Sequence, residues 1–275
     1  MFQGYPSPRT DYFCPYKWQQ TEKMLSKAKI KQVHALELKK HRDEQQAFVA
    51  EGTKTVTDLM GAFACEWIAA LPEWFEAHAD RRTNGERIEA DRDKLRRASL
   101  LKSPPEVIAV FRRHEERLLA ADPTREWVIA LDGVQDPGNL GTIIRTADWL
   151  GYTHLVCSPD TADAFGPKAI QSAMGSTARI HIHYTDLPTY LRSHPDAVTY
   201  GTVADGDSLY DLPSPVTAGL LVMGSEGNGI RPDVAALIAH RIGIPRYPTD
   251  RYGAESLNVA VATAIICAEI RRRAL

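Results

Sequence analysis

The side chains of this 275-residue chain that could do chemistry are concentrated in three short segments of its second half. The first segment reads DPGNLGTIIRTADWLG and contains Asn139 and Arg145, which lie six residues apart. The second reads LLVMGSEGNGIRPDV and contains Glu226, and the third reads ESLNVAVATAI and contains Ser256 and Asn258. Amide, hydroxyl, carboxylate and guanidinium groups can orient a phosphate, a hydroxyl group and one another by hydrogen bonding.

The first segment also has a purely structural interpretation. Asn139 stands where a helix needs an N-cap, and the apolar residues that follow repeat at helical spacing as far as Gly151. Arg145 lies off that apolar stripe, where a surface pair with Asp148 would contribute roughly a few tenths of a kcal/mol. Capping therefore explains Asn139 but leaves Arg145 unexplained.

In the second segment, a predicted buried strand is followed by Gly224, Gly227 and Gly229. Their spacing is GxxGxG, not the GxGxxG of dinucleotide-binding sites, so we reject an NAD site on this evidence. Glycines let a ligand lie against the backbone. The alternative is a flexible connection between the strand and a helix that begins at Pro232.

The third segment opens a helix that is apolar almost all round from Leu257 to Ile270. Such a helix is either buried on several sides or shared with a partner subunit. Ser256 and Asn258 fall in its first turn, where free backbone N–H groups gather. N-capping by Ser256 is the structural alternative.

Strands and helices alternate along the chain and would position these segments. From residue 126 onwards, buried apolar strands such as WVIALD alternate with helices, which predicts a parallel sheet covered on both faces. Active sites of such sheets collect in the loops beyond the carboxyl ends of the strands. The predicted organisation is an extension over residues 1–22, a small α/β domain over 23–104, a linker over 105–125 and the parallel-sheet domain over 126–275.

The composition is that of an ordinary globular protein, with 44% hydrophobic and 25% charged residues. The net charge is −2, but basic residues are concentrated at Lys23–Lys40 and Arg81–Lys102. Such clusters form either a phosphate-binding surface or a solvated helix face. A chain this close to neutral must select a nucleic-acid partner largely by shape.

Four widely spaced cysteines form no CxxC pair, which indicates reduced, mostly buried thiols and no metal site. No apolar run reaches the roughly 18 residues that a membrane span needs. The N-terminus lacks the pattern of a signal peptide. We therefore expect a cytoplasmic protein without a membrane partner.

Taken together and in this order, the three segments resemble the SpoU branch of the SPOUT superfamily, the TrmH-like RNA 2′-O-ribose methyltransferases. The first segment is similar to motif 1 through Asn139 and Arg145, and the second to motif 2 through Gly224 and Glu226. The third is similar to motif 3 through an Ile-Pro pair and the Ser-Leu-Asn triplet at 256–258. The stretch LKKHRDEQQAFVAEGTKTVTDL also resembles the small RNA-binding domain, similar to a ribosomal-protein fold, that often precedes the catalytic domain.

The resemblance implies a deep trefoil knot, an obligate homodimer and S-adenosylmethionine held in the knot, largely by backbone around Gly224, Ile244 and Leu257. It implies methylation of a ribose 2′-hydroxyl in structured RNA, and the separate small domain favours ribosomal over transfer RNA by analogy. Arg145 would be presented from one subunit to the phosphate beside the target ribose. No metal is required, because the cofactor supplies its own leaving group. The predicted catalytic residues are Asn139, Arg145, Glu226, Ser256 and Asn258.

One departure from the family's pattern is the segment RYPTDRYGAE before the Ser-Leu-Asn triplet, which is longer than usual. Its Arg246 and Arg251 could reach RNA phosphate, or the segment could be a solvated loop tip. Two other functional classes stay open. One is a non-catalytic RNA-binding dimer, which would not need the motif residues, and the other is an α/β enzyme that binds NAD or ATP.

Overall fold

The computed structural model describes residues 24–81, 83–113, 118–212, 217–247 and 254–274. The predicted extension over residues 1–22 lies outside these ranges. Within the described ranges, no helix is both long enough and apolar enough to cross a lipid bilayer.

The smaller of two α/β domains is built around a four-stranded sheet. Its helices are α1 (Lys27–Ala35), α2 (Lys39–Gln45), α3 (Thr53–Leu59), α4 (Pro72–Ala77) and α5 (Arg92–Ala98). Its strands are β1 (Ala47–Glu51), β2 (Cys65–Ala70), β3 (Glu86–Glu89) and β4 (Val107–Arg112). The strand order is β1-β4-β2-β3, with β2 and β3 parallel and β4 antiparallel to both its neighbours.

Strand β4 lies between β1 and β2, although the sequence analysis placed it in a linker over residues 105–125. That boundary is wrong for this strand, because every residue from Val107 to Phe111 is 0% exposed. An apolar run of this kind belongs inside a sheet, since a linker would leave it in water. Ser103–Pro105 marks a turn, after which the chain returns to the middle of the small sheet.

The second domain contains a six-stranded sheet in the order β10-β8-β9-β5-β6-β7. Its strands are β5 (Trp127–Asp132), β6 (His154–Cys157), β7 (His181–Tyr184), β8 (Thr199–Ser208), β9 (Gly219–Gly224) and β10 (His240–Gly243). Its helices are α6 (Pro137–Trp149), α7 (Pro167–Ala173), α8 (Leu187–Arg192), α9 (Pro232–Ala235) and α10 (Val259–Arg273). All pairings in this sheet are parallel, which confirms the predicted parallel α/β domain.

Side chains of β5 alternate between two hydrophobic layers. Trp127, Ile129 and Leu131 pack on the side of α6 and α10, while Val128 and Ala130 pack on the side of α8 and α9. A strand that is covered on both faces therefore has an uninterrupted run of apolar residues in its sequence. Strands β5 and β9 are neighbours and run parallel, so the segments that follow them emerge at the same edge of the sheet.

The two domains are joined by a buried contact. Phe165 of the large domain packs against Phe48 and Phe63 of the small domain, at ring-centroid distances of 5.0 and 6.0 Å. Arg42 Nε and Nη2 both lie 2.8 Å from Asp163 Oδ2, and Arg42 Nη1 donates to two backbone carbonyls of its own domain. Breaking such a buried pair would leave an uncompensated charge. A shared core and a buried ion pair therefore join the two domains.

Candidate active site

One residue from each of the three segments meets at the carboxyl edge of the large sheet. Asn139 Nδ2 donates to Glu226 Oε1 at 2.7 Å. Asn258 Nδ2 donates to the same oxygen at 2.8 Å and to Asn139 Oδ1 at 3.0 Å. We call this closed set of Asn139, Glu226 and Asn258 the amide–carboxylate triangle. It joins residues that lie as many as 119 positions apart in the chain.

The side chain of Asn139 is free for the triangle because another residue caps α6. Asp136 Oδ1 accepts from the backbone N–H of Asn139 at 2.9 Å, and Pro137 occupies the first turn of the helix. The prediction that Asn139 is the cap is therefore wrong. The sequence did carry the correct signal, since a proline at the first helical position places the cap one residue before it. Hydrogen bonds from Lys168 Nζ and from Asn139 N–H lower the pKa of the Asp136 carboxyl.

Asn258 has two roles at the start of α10. Its Oδ1 accepts from the backbone N–H groups of Ala260 and Val261, at 3.0 and 3.3 Å, while its Nδ2 completes the triangle. The capping alternative for Ser256 is therefore wrong. Ser256 is exposed, and within the described part of the chain its hydroxyl has no hydrogen-bond partner. The helix itself buries one face, because Val261 remains 49% exposed on the other.

A cavity of about 700 Å³ lies between the ends of β9 and β10 and the segment before α10. We call it the β9–β10 cavity. The predicted cofactor-binding residues Gly224, Ile244 and Leu257 all line it, as do Glu226 and Ser256. Its volume falls within the range of about 300–1,000 Å³ that is usual for small-molecule sites.

The glycine-rich segment after β9 forms a tight turn. A Cβ atom at Gly224 would lie 2.2 Å from the carbonyl carbon of Gly229 and 2.4 Å from the nitrogen of Ile230. Ser225 and Gly229 exchange backbone hydrogen bonds of 2.9 and 3.0 Å, and Gly229 has a φ of 64°, which favours glycine. The segment is thus a hydrogen-bonded turn at the cavity wall.

A buried ion pair holds the far end of this turn. Asp132, at the end of β5, is 1% exposed and accepts from the backbone N–H and Nε of Arg231, both at 2.7 Å. Arg231 Nη2 lies 2.6 Å from the same carboxylate. This pair was not predicted from the sequence. The available signal was the one charged residue that ends the apolar strand WVIALD, since a buried carboxylate requires donors.

Arg145 is on the outward face of α6 and does not line the β9–β10 cavity of its own chain. It is exposed, and it makes no hydrogen bond or ion pair with any residue that the structure describes. The alternative of a surface pair with Asp148 is wrong, because Arg179 Nε and Nη2 occupy that carboxylate at 2.9 and 2.8 Å. Trp149, one turn further along α6, is 88% exposed. This helix face thus presents an unpaired guanidinium near an uncovered indole.

The two described ends of the long segment before α10 contact each other. Arg246 Nη2 donates to the backbone carbonyl of Glu255 at 2.9 Å, and neighbouring Tyr247 is 98% exposed. Arg251, the other arginine with a possible phosphate contact, lies outside the described residues. The described ends of the segment therefore form part of the cavity wall, which includes Arg246, Tyr247 and Glu255.

The described cysteines are not part of a cluster of potential metal ligands. Across the described ranges, no three His, Cys, Asp or Glu side chains are placed together to hold a metal ion. Cys65, Cys157 and Cys267 are free and buried, and burial raises the pKa of Cys65 to about 11 and that of Cys267 to about 12. These thiols are packed and protonated at neutral pH, whereas Cys14 lies outside the described residues.

Residues 126–268, which include all three segments, match the SpoU rRNA Methylase family. The chain belongs to this family. Residues 27–109 match the MRM3-like substrate binding domain, so the SpoU methylase region is preceded by a domain of a known substrate-binding type. The family resemblance carried by the three motifs is confirmed.

Several relatives match this SpoU methylase over most of its length. The 23S rRNA (guanosine(2553)-2′-O)-methyltransferase RlmP of Bacillus subtilis is 31% identical, over 88% of this chain and 96% of its own length. A TrmH-family protein from Porphyromonas gingivalis is 38% identical over 91% of this chain and 100% of its own, with a TM-score of 0.81. An rRNA methyltransferase from Sinorhizobium meliloti, solved with bound AdoMet, is 30% identical over 90% of this chain and 95% of its own, with a TM-score of 0.79. S-Adenosylmethionine, the predicted cofactor, is thus found in a solved relative of the same fold.

Proposed function

We propose that this SpoU methylase transfers a methyl group from S-adenosylmethionine to the 2′-hydroxyl of a ribose in ribosomal RNA. The observation that carries the proposal is the amide–carboxylate triangle, which joins all three motif segments beside the β9–β10 cavity. The name of the Bacillus subtilis relative supports the choice of ribosomal RNA over transfer RNA. A ribosomal RNA substrate also agrees with the expected cytoplasmic location.

The β9–β10 cavity suits the cofactor in size and in chemistry. Apolar side chains such as Ile244 and Leu257 line it together with the polar residues Ser225, Glu226 and Ser256, and this mixture suits an adenine base and its ribose. Gly224 and Gly243 leave the backbone bare at the ends of β9 and β10, and a Cβ on either would clash with backbone atoms. S-Adenosylmethionine supplies an activated methyl group on a sulfonium leaving group. Glu226 Oε1 accepts from both amides of the triangle, which holds the glycine-rich turn at the cavity wall.

Arg145 would act on the ribose side of the reaction. A ribose 2′-hydroxyl is a poor nucleophile, so catalysis needs its alignment and the removal of its proton. A guanidinium group stays protonated near neutral pH, so it is not suited to accept that proton as a general base. We assign to Arg145 the binding of the adjacent phosphate, with that phosphate as proton acceptor. A guanidinium free of protein partners can make the bidentate contact that phosphate favours.

In this proposal, a second copy of the chain completes the site. Arg145 is absent from the lining of its own β9–β10 cavity, so it would serve the cavity of the partner chain. Its helix carries the exposed Trp149, and the adjacent α10 carries the exposed Val261. Large apolar side chains on the outside of packed helices are typical of a subunit interface. Analytical ultracentrifugation of the purified protein should therefore give the mass of a dimer. We propose in addition that the large domain contains the trefoil knot.

The small domain would contribute a basic face for RNA. Helix α1 packs against α5, and His34 Nε2 lies 2.9 Å from the backbone carbonyl of Arg97, so the two basic segments of the sequence come together. Lys27, Lys31 and Arg92 are exposed there, with no acidic partner among the described residues. Unpaired lysine and arginine side chains on one surface suit the phosphate backbone of RNA.

Mapping of 2′-O-methyl groups in ribosomal RNA tests the proposal directly. RNA from cells with and without this protein would be compared by mass spectrometry, and we expect one ribose methylation to disappear. Purified protein should restore that methyl group in vitro when S-adenosylmethionine is added. A methylation lost from transfer RNA instead would refute the choice of ribosomal RNA, and if no site is lost in any RNA, the non-catalytic RNA-binding dimer becomes the better interpretation.

The role of Arg145 is tested by Arg145→Ala. We expect methylation to fall by at least about 100-fold, because one guanidinium that positions phosphate supplies several kcal/mol in the transition state. Cofactor affinity, measured by calorimetry, should stay within about twofold of the parent value. Arg192→Ala, at an exposed position on α8, is the matched control and should retain full activity. Retained methylation in Arg145→Ala would refute the assignment.

A further inference from the structure

A second cavity, of about 560 Å³, lies between the two domains. We call it the interdomain cavity. The small domain lines it with Val49, Glu51 and Leu101, and the large domain lines it with Pro137 and Ile170. The exposed side chains along it are Glu37, Lys39, Gln135, Lys168 and Gln171. Apolar walls with a few polar groups are typical of sites that bind a small molecule.

Glu51 brings a carboxylate to this wall in a fixed position. Ser99 Oγ donates to its Oε2 at 2.5 Å, and the backbone N–H of Leu100 donates to its Oε1 at 2.9 Å. A carboxylate has about four acceptor positions, so each oxygen can accept one further donor. Burial raises the pKa of Glu51, so additional donors would stabilise its charged form. Among the described residues, no lysine or arginine forms an ion pair with it.

The interdomain cavity adjoins the helix that carries the motif 1 residues. Pro137 in its wall stands two residues before Asn139, and Lys168 beside it is bonded to Asp136, the cap of α6, at 2.7 Å. Phe165 lies in a core shared by the two domains, which fixes the two walls relative to each other. The cavity therefore exists before any ligand arrives, and a ligand in it would lie near the motif 1 end of the site.

We propose that the interdomain cavity binds the unstacked guanine base of a nucleotide that flanks the target ribose in the substrate RNA. This inference rests on the proposed function, because it takes RNA as the substrate. Proteins read single-stranded RNA by placing splayed bases in pockets and bonding to their edges. Guanine alone among the four bases has an imino N–H and an amino group side by side, and the two oxygens of Glu51 can accept from both.

The remaining groups of the cavity fit the rest of such a nucleotide. Val49, Leu101 and Ile170 supply apolar contact for the faces of the base. Lys39 is an exposed cation that suits a phosphate beside the base, whereas Lys168 is already paired with Asp136. A base held there would anchor the RNA against α6 while the neighbouring ribose enters the reaction centre.

The first experiment measures base preference without RNA. The full-length protein is saturated with S-adenosylhomocysteine, so that the β9–β10 cavity is filled, and the four ribonucleoside 5′-monophosphates are titrated by nuclear magnetic resonance. We expect the guanosine nucleotide to bind at least about fivefold more tightly than the other three. Glu51→Gln should abolish this preference, because its amide replaces one acceptor with a donor. Glu89→Gln removes the same charge from an exposed position on β3 and should leave the preference intact.

The second experiment measures RNA itself. With ribosomal RNA from cells that lack this protein, Glu51→Gln should raise KM for RNA by about 5- to 100-fold, the range for loss of one bidentate base contact. The KM for S-adenosylmethionine should not change. Gln171→Trp places a bulky ring at the exposed edge of the cavity and should have the same effect even if Glu51→Gln folds poorly.

Three outcomes would overturn the inference. Unchanged KM for RNA in both variants would refute it while leaving the proposed methyltransferase function standing. A Glu51-dependent preference for free guanosine nucleotide, with unchanged KM for RNA, would assign the cavity to a free nucleotide instead. If Glu89→Gln also abolished the preference for the guanosine nucleotide, the preference would depend on the net charge of the protein and not on the position of Glu51. Absence of any methylation by the parent protein would instead refute the proposed function.

Discussion

Replacement of Arg231 by methionine tests whether its ion pair with Asp132 holds the glycine-rich turn. Methionine fills much of the same space but removes the Nε and Nη2 donors, which lie 2.7 and 2.6 Å from the carboxylate. Breaking a buried pair costs about 3–5 kcal/mol. We expect about 3 kcal/mol, because the backbone N–H of residue 231 still donates to Asp132 and the arginine side chain is 39% exposed, so solvent already screens it.

Urea unfolding followed by circular dichroism would measure this loss in the free energy of unfolding. Thermal unfolding should show a fall of roughly 6–12 °C, since a domain of this size loses about 2–4 °C for each kcal/mol. Because the pair fixes the wall of the β9–β10 cavity, the affinity for S-adenosylmethionine should also decrease. The control is Arg241→Met, which breaks an exposed pair with Asp205 of 3.0 Å and should cost less than about 1 kcal/mol. Equal losses in both variants would refute the reasoning.

Two further predictions concern α10. Asn258→Ala should lower the free energy of unfolding by about 1 kcal/mol, because the helix cap is lost, and should also lower turnover, because the triangle opens. Ser256→Ala should leave the urea midpoint unchanged. An equal loss of stability in Ser256→Ala would contradict the assignment of Asn258 as the cap. Hydrogen bonds from Arg272 and Arg273 lower the pKa of Glu269 from 4.5 to about 2. The ionised Glu269 carboxylate therefore stabilises the fold fully above about pH 4.5, and this stabilisation is lost as the pH falls towards 2. Glu269→Gln should flatten the dependence of the free energy of unfolding on pH in that window. Urea titrations at several acidic pH values would check this, and an unchanged slope would argue against the prediction.

The sheet of the large domain could be predicted because burial on both faces has a direct sequence signature. Trp127–Asp132 and Gly219–Gly224 are continuous apolar runs with few exposed side chains. The same signature was present at Val107–Arg112, but the run stands after a proline-rich break and far from its partner strands. Its place in the middle of the small sheet depends on pairing with β1 and β2, which local pattern does not specify.

For the site, residue types could be predicted but not their partners. Asn139, Glu226 and Asn258 were identified from motif resemblance, yet their mutual hydrogen bonds span 87, 119 and 32 positions and follow from topology. Local rules also gave the wrong caps, because Asn and Ser are good caps in general. Asp136 took the position that Asn139 could have filled, since Pro137 fixed where α6 begins.

The double role of Asn258 restricts which substitutions this position can accept. Asp, Ser and Thr cap helices about as well as Asn, so α10 alone would tolerate any of them. Aspartate has no donor for Glu226, and Ser or Thr would have to accept from Ala260 and donate to Glu226 through one and the same oxygen, whereas Asn uses two separate atoms. Aspartate would in addition place a second negative charge beside Glu226. Substitution of Asn258 by one of these common capping residues would keep α10 and the fold intact but would open the amide–carboxylate triangle. Such a variant would lose activity with almost no change in the free energy of unfolding.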